Sequence, residues 1–230
     1  MKIKSVKAIP VDLTPQPKTN PRVPKDPDGG YFASPMDRYS SDLPGRSWSD
    51  RWDKVACVVT AEDGTWGLGI SIASGPVCSI INDHFSEILV GQNPMATEKL
   101  WDIMRRSSSP HGTAGVASYA ISAVDNAIWD LKGKLLEKPV YELLGGPVKD
   151  KIFCYASNTM LQYKTSDYLE WFLELGFGAV KVFLRHGPEK GLEGLNRNVE
   201  IIAKAREQIG PDVELAVDSW MSLNIEYAVR

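Results

Sequence analysis

Apolar and polar positions alternate through residues 2–13, through Lys54–Ala61 and through residues 65–71, the period-two rhythm of half-buried strands. The first alternation is imperfect and contains Pro10, which has no amide hydrogen to donate, so an edge strand is predicted there. Asp63-Gly64 between the other two is a turn pair, and a hairpin is predicted. The rhythm then changes to three- and four-residue steps, predicting helices at 77–90 and 96–106, with Gly91 closing the first and Pro94 separating them. A longer helix follows. Ala117, Ala120, Val124, Ile128, Leu131 and Leu135 form a stripe that must be buried. Asp130 and Lys134, four apart with the acid first, suit its exposed face. Pro139 fits the first turn of a second, short helix, and Gly145-Gly146 supplies its left-handed stop.

Beyond residue 149 the pattern becomes regular. Residues 151–156, 178–184 and 213–217 read as strands, and 167–175 and 195–209 as helices. Such repeats imply parallel strands with helical crossovers. A doubly wound sheet and a (β/α)8 barrel fit this rhythm equally. No GxGxxG or GxxxxGK[ST] follows any of these strands, which removes the obvious nucleotide-binding readings.

Residues 14–49 have no usable period, and seven of the chain's 15 prolines fall between Pro15 and Pro44. A loop of this length is either a surface excursion or a lid over a site elsewhere. Tyr31, Phe32 and Met36 give it something apolar to dock.

The 230 residues suffice for one or two domains, each with a proper core. A net charge of -3 without a basic run leaves no electrostatic footprint for nucleic acid. The three cysteines, Cys57, Cys78 and Cys154, are far apart and form no CxxC pair, against a disulfide framework or a zinc site. The lysine-bearing start MKIKSVKAIPVDL is not a signal peptide, and no uncharged apolar run reaches the roughly 18 residues of a membrane span. A cytoplasmic protein is expected, with no nucleic-acid or membrane partner. Exposed helix faces and sheet edges make a homo-oligomer the expected state.

The run AISAVDNAIWDLKGKLLEKPVYELLGG closely resembles the junction between capping domain and barrel in the mandelate racemase branch of the enolase superfamily. ASPMDRY and VELAVDSWMS are similar to the acid-sugar dehydratases of the L-rhamnonate dehydratase type within it. The resemblance decides the alternatives left open above. It implies an α+β capping domain at 1–148, with a lid at about 14–49, then the first strands of a (β/α)8 barrel at 149–230, incomplete in this chain. Asp125, in the junction helix beside Ile121, Ile128 and Trp129, reads as a packing or capping group rather than an acid catalyst.

Barrel enzymes carry their chemistry at the carboxyl ends of the strands. In the strand at 213–217, Leu215 and Val217 share one face and Glu214, Ala216 and Asp218 the other, so Asp218 faces inward just past the strand end. An inward carboxylate calls for a cation, either a structural ion-pair partner or a metal. The resemblance makes Asp218 the first of three acidic ligands for Mg2+. Ala179, Lys181 and Phe183 likewise share a face opposite Val180, Val182 and Leu184. Racemases and cycloisomerases of this branch carry Lys-x-Lys there, whereas Phe183 cannot exchange a proton. Lys181 is the catalytic candidate, placed near a substrate carboxylate or paired with Asp218. Trp220 stands where many relatives have asparagine; it is a candidate wall of the substrate site or an outer packing group. Arg46 aligns with an arginine that touches substrate, a role its planar fork suits.

The implied reaction is Mg2+-dependent loss of water from a sugar acid, through removal of the C2 proton and an enediolate, to a 2-keto-3-deoxy acid. Two metal ligands, the base and the acid are expected beyond Arg230, so the 230-residue chain alone is expected to be inactive. A non-catalytic interaction module, and a racemase or cycloisomerase of the same superfamily, are the alternatives.

Overall fold

Strand β1 (Ile3–Val11) pairs antiparallel with β2 (Lys54–Ala61), and β2 with β3 (Trp66–Ser71). Both alternations and the Asp63-Gly64 turn are as the pattern predicts, and β1 is an edge. The computed structural model describes residues 1–11, 33–39, 42, 54–157 and 165–230. The chain divides into two compact units, Met1–Gln16 with Arg51–Asp150, and Pro17–Asp50 with Lys151–Arg230.

In the first unit a continuous helical run follows β3, as α1 (Ser74–Ser79), a π-helical segment (Ile80–Phe85) and α2 (Ser86–Leu89). Helices α3 (Thr97–Ser107), α4 (Val116–Leu135) and α5 (Val140–Leu143) complete it. The predicted stripe of α4 is buried from Ala117 to Leu131 and packs with Val55, Val59, Ile81, Phe85, Leu100 and Met104. Helix α4 comes directly onto the backbone of β3. A Cβ at Gly67 would fall on the Ala127 carbonyl oxygen and one at Gly69 on that of Ala123, so only glycine permits this approach.

Both open edges of this sheet are covered by side chains. On β1, Asn82 from the π-helical segment accepts the Ala8 N–H at 2.8 Å and donates to the Ala8 carbonyl at 2.9 Å. On β3, the Leu68 N–H donates to Asp130 Oδ2 at 2.8 Å while Lys134 Nζ donates to the Trp66 carbonyl at 3.0 Å. Asp130 and Lys134, read from sequence as a surface pair, are indeed joined at 2.7 Å, and they also close the edge.

The second unit contains β4 (Ala156–Ser157), α6 (Thr165–Glu174), β5 (Ala179–Phe183), α7 (Gly191–Ile209), β6 (Glu214–Asp218) and α8 (Ile225–Val229). The strands are parallel in the order β4-β5-β6. The strand expected at 151–156 begins only at Ala156. Ala156 and Ser157 alone reach register with Val180 and Lys181, while Ile152, Phe153 and Tyr155 are exposed. Val180 and Val182 point to the helices and pack with Leu169, Ala205 and Ile209, with Leu215 against them. That packing fixes the opposite face of β5 and β6 as the one carrying Lys181 and Asp218.

Candidate metal and substrate site at the strand ends

Phe183 pairs with Asp218 in the register of β5 and β6, which brings Lys181 one pleat below the carboxylate. Lys181 Nζ reaches up to Asp218 Oδ2 at 3.0 Å. The Tyr155 hydroxyl lies 3.5 Å from the same nitrogen, the outer limit of a hydrogen bond. The rings of Tyr155 and Phe183 lie 5.2 and 5.1 Å from it, within range of a cation–π attraction.

The other carboxylate oxygen, Asp218 Oδ1, accepts the Trp220 N–H at 2.8 Å. That bond depends on an uncommon turn. Trp220 and Met221 have φ of 43° and 60°, in the left-handed region, and the turn is closed by the Ser222 N–H on the Ser219 carbonyl at 2.9 Å. Left-handed backbone costs a non-glycine residue about 1–2 kcal/mol. It is retained here beside the candidate site, where such strain is often found.

The Trp220 N–H is the main cause holding the Asp218 carboxyl below its ordinary range; the hydrogen bond and charge of Lys181 add to it and burial opposes it. Lys181 is pushed upward, first by its hydrogen bond to Asp218, against the opposing effect of burial. Both groups are therefore charged at neutral pH. The Asp218 side chain is 33% exposed, and each oxygen, engaged once, keeps a further lone pair. In kind, an exposed strand-end carboxylate fits a hard cation such as Mg2+. In number it supplies one ligand, and the described residues hold no cluster of three or more His, Cys, Asp or Glu placed to hold a metal.

The loop after β5 is tied down on several sides. The Leu184 N–H donates to the Asp218 carbonyl and the Ala33 N–H to the Leu184 carbonyl, each at 2.9 Å. Buried Asn198 of α7 accepts the N–H groups of Arg185 and His186, both at 3.2 Å, and returns a bond to the His186 carbonyl at 2.7 Å. The Ala33 bond sets one described piece of the long loop against the carboxyl end of β5. Asp37 organises that piece by accepting the Ser34 N–H at 2.9 Å and its hydroxyl at 3.0 Å.

Of the residues singled out from sequence, Lys181 and Asp218 meet as an ion pair, and half-buried Trp220 joins them through its backbone. Arg46, Tyr31 and Phe32 lie outside the described residues. Buried His186 has its Cβ against Gly194 of α7. Sequence reasoning missed Tyr155 and Asn198. Asn198 carried a signal, a polar residue three positions after Leu195 and four before Ile202 on an apolar helical stripe. Tyr155 carried none, because 151–155 do not form the strand that would have set its direction.

Comparison with known proteins matches residues 51–145 to the mandelate racemase/muconate lactonizing enzyme N-terminal domain. Over 172 residues, 75% of the chain, the sequence is 44% identical to an L-rhamnonate dehydratase of Saccharopolyspora erythraea and covers 42% of it. A rhamnonate dehydratase structure from Gibberella zeae, complexed with Mg, matches 99% of the chain with a TM-score of 0.79 at 28% identity, and 55% of that chain is covered. The 3,6-anhydro-D-galactonate cycloisomerase of Zobellia galactanivorans matches 77% of the chain with a TM-score of 0.66 at 34% identity, and 48% of that chain is covered. The chain thus spans about half the length of the proteins it matches. Residues 51–145 are similar to the mandelate racemase/muconate lactonizing enzyme N-terminal domain, and the chain as a whole is similar to about half of an L-rhamnonate dehydratase.

Proposed function

We propose that this chain supplies the capping domain and the first barrel strands of an Mg2+-dependent sugar-acid dehydratase. The observation that carries the reading is the charged carboxylate of Asp218, held at the carboxyl end of β6 on the face away from the helices. The relatives named as rhamnonate dehydratases, one of them complexed with Mg, support it.

In this reading Asp218 gives one oxygen to the ion, and the Trp220 N–H keeps that carboxylate ionised and aimed. The chemistry a bound Mg2+ would supply is electrostatic, offsetting the negative charge that grows on the acid as its C2 proton leaves. Lys181 is bonded to Asp218, which raises its pKa and favours the ammonium. Its role is to place a positive charge beside the substrate carboxylate. Phe183, on the same face, cannot exchange a proton, so the base comes from another part of the whole protein. Trp220 and Arg46 are assigned to the substrate wall, and the loop that includes Ala33 to the lid.

The test uses the whole protein with Mg2+ and a panel of sugar acids, L-rhamnonate first, scored for 2-keto acid product. Turnover is expected with at least one. Asp218→Asn should lower kcat by about 100-fold or more and weaken Mg2+ binding in calorimetry. A wild-type protein inert on the whole panel would remove the reading and leave the non-catalytic module. The likeness to a cycloisomerase favours a second reading within the same branch. Exchange of the C2 hydrogen in deuterated water without loss of water would select it.

A further inference from the structure

We propose that Tyr155 is a positioning residue of this site: its ring braces the Lys181 ammonium at the point where the substrate carboxylate meets it. The inference rests on the dehydratase reading above and deepens it by naming what holds Lys181 in place.

A lysine does not hold itself. Its four-carbon stem is flexible, and fixing the ammonium at one point forfeits the freedom of several rotatable bonds. The bond to Asp218 Oδ2 at 3.0 Å sets the distance of the nitrogen from one oxygen but not its direction. Asp218 is also the group assigned to the metal, so a second hold on Lys181 is needed that does not draw on it.

Two aromatic rings supply that hold. The centroid of Tyr155 lies 5.2 Å and that of Phe183 5.1 Å from Lys181 Nζ, both inside the roughly 6 Å range of a cation–π attraction. The Tyr155 hydroxyl, at 3.5 Å, stands at the outer limit of a hydrogen bond, so the ring is the main contact. Only 19% of the Lys181 side chain is exposed, and an ammonium partly stripped of water feels a ring more strongly. An ammonium has three N–H donors. The one not turned toward Asp218 or the Tyr155 hydroxyl is the one a substrate carboxylate would take.

The place of Tyr155 follows from its neighbours. Ala156 is level with Val180 and buried with it in the second core, so it faces the helices. Tyr155, one residue earlier, turns to the opposite face, the one that carries Lys181. Ser157 is level with Lys181, which sets Tyr155 about 6–7 Å lower at the usual strand rise. Its ring thus rises beneath the ammonium, while Phe183 and Asp218 stand one pleat above. Tyr155 is 52% exposed and belongs to neither apolar core, so core packing does not account for its direction.

The test is steady-state kinetics of the whole protein with Mg2+ on L-rhamnonate, or on whichever acid of the panel above it turns over best. Tyr155→Leu should raise KM by about 3- to 30-fold, the span of a cation–π contact, and lower kcat by less than about threefold. Tyr155→Phe, which keeps the ring, should raise KM only about twofold. In a Lys181→Met background Tyr155→Leu should add less than about twofold, because Tyr155 acts through Lys181. Phenylalanine carrying successive ring fluorines, placed at position 155, keeps the shape of the side chain and drains the negative face of the ring. KM should rise step by step along that series. A flat fluorine series, or a Tyr155→Leu loss of equal size with and without Lys181, would mark a merely structural tyrosine and overturn the proposal. A phenylalanine variant as impaired as the leucine variant would overturn it too. An active wild type with any of these results removes this inference alone, whereas a wild type inert on every acid removes the dehydratase reading and this inference with it.

Discussion

Asp218 owes its charge in the fold chiefly to a residue two positions further on. The Trp220 N–H is the leading cause of its depressed pKa, with Lys181 adding to it. The sign of the pH effect follows from the two shifts. A carboxyl depressed on folding adds stability that is present above its ordinary value near 3.8 and is lost as pH falls through the folded value. An ammonium raised on folding adds stability present below 10.5 and lost as pH rises beyond it. The pair should therefore leave stability flat across neutral pH and weaken it in acid. In urea unfolding of the chain followed through the second unit, Asp218→Asn should flatten the acid limb below about pH 4 relative to wild type. An acid limb identical in the two proteins would show that the pair contributes nothing there. At this scale the sequence exposed Asp218 and Lys181 through period-two parity. It hid the left-handed turn at Trp220 and Met221, because neither is a residue that signals positive φ.

Among elements, the ones with strong periodicity were the legible ones. Helix α4 and the β2–β3 hairpin lie where their stripes and turn pair place them. The π-helical segment at Ile80–Phe85 was illegible, since residues 77–90 keep a helical rhythm whether or not a turn is widened. Its consequence is Asn82, whose side chain satisfies both backbone groups of Ala8 on the edge of β1. Removing that amide leaves a part-buried donor and acceptor unpaired together. Asn82→Ala should therefore destabilise the first unit by about 1–3 kcal/mol, measured as a lower urea midpoint at unchanged slope. A loss under about 0.5 kcal/mol would mean that water replaces the side chain without penalty and that the edge is not protected by it.

Across the whole molecule the two units differ in the size of their apolar cores. The first buries a large continuous core, and its sheet edges are met by Asn82, Asp130 and Lys134. The second has a smaller core and leaves Ile152, Phe153, Val217, Ile225 and Val229 exposed at 79%, 69%, 44%, 85% and 81%. The repeats beyond residue 149 announced parallel strands, but barrel and open sheet share that rhythm, so no local pattern could name the closure. What the pattern does predict is association. Exposed side chains on α8 lose contact with water when they meet a second apolar surface, at about 25 cal/mol per Å2 buried. The 230-residue chain should form concentration-dependent oligomers in light scattering after size exclusion, and Ile225→Glu with Val229→Glu should shift them toward monomer. These positions lie outside the Asp218 site, and the doubly substituted chain should keep the wild-type melting temperature. A monomeric wild type, or oligomers indifferent to both substitutions, would place any self-association elsewhere, leaving the exposed face of α8 without a role in it.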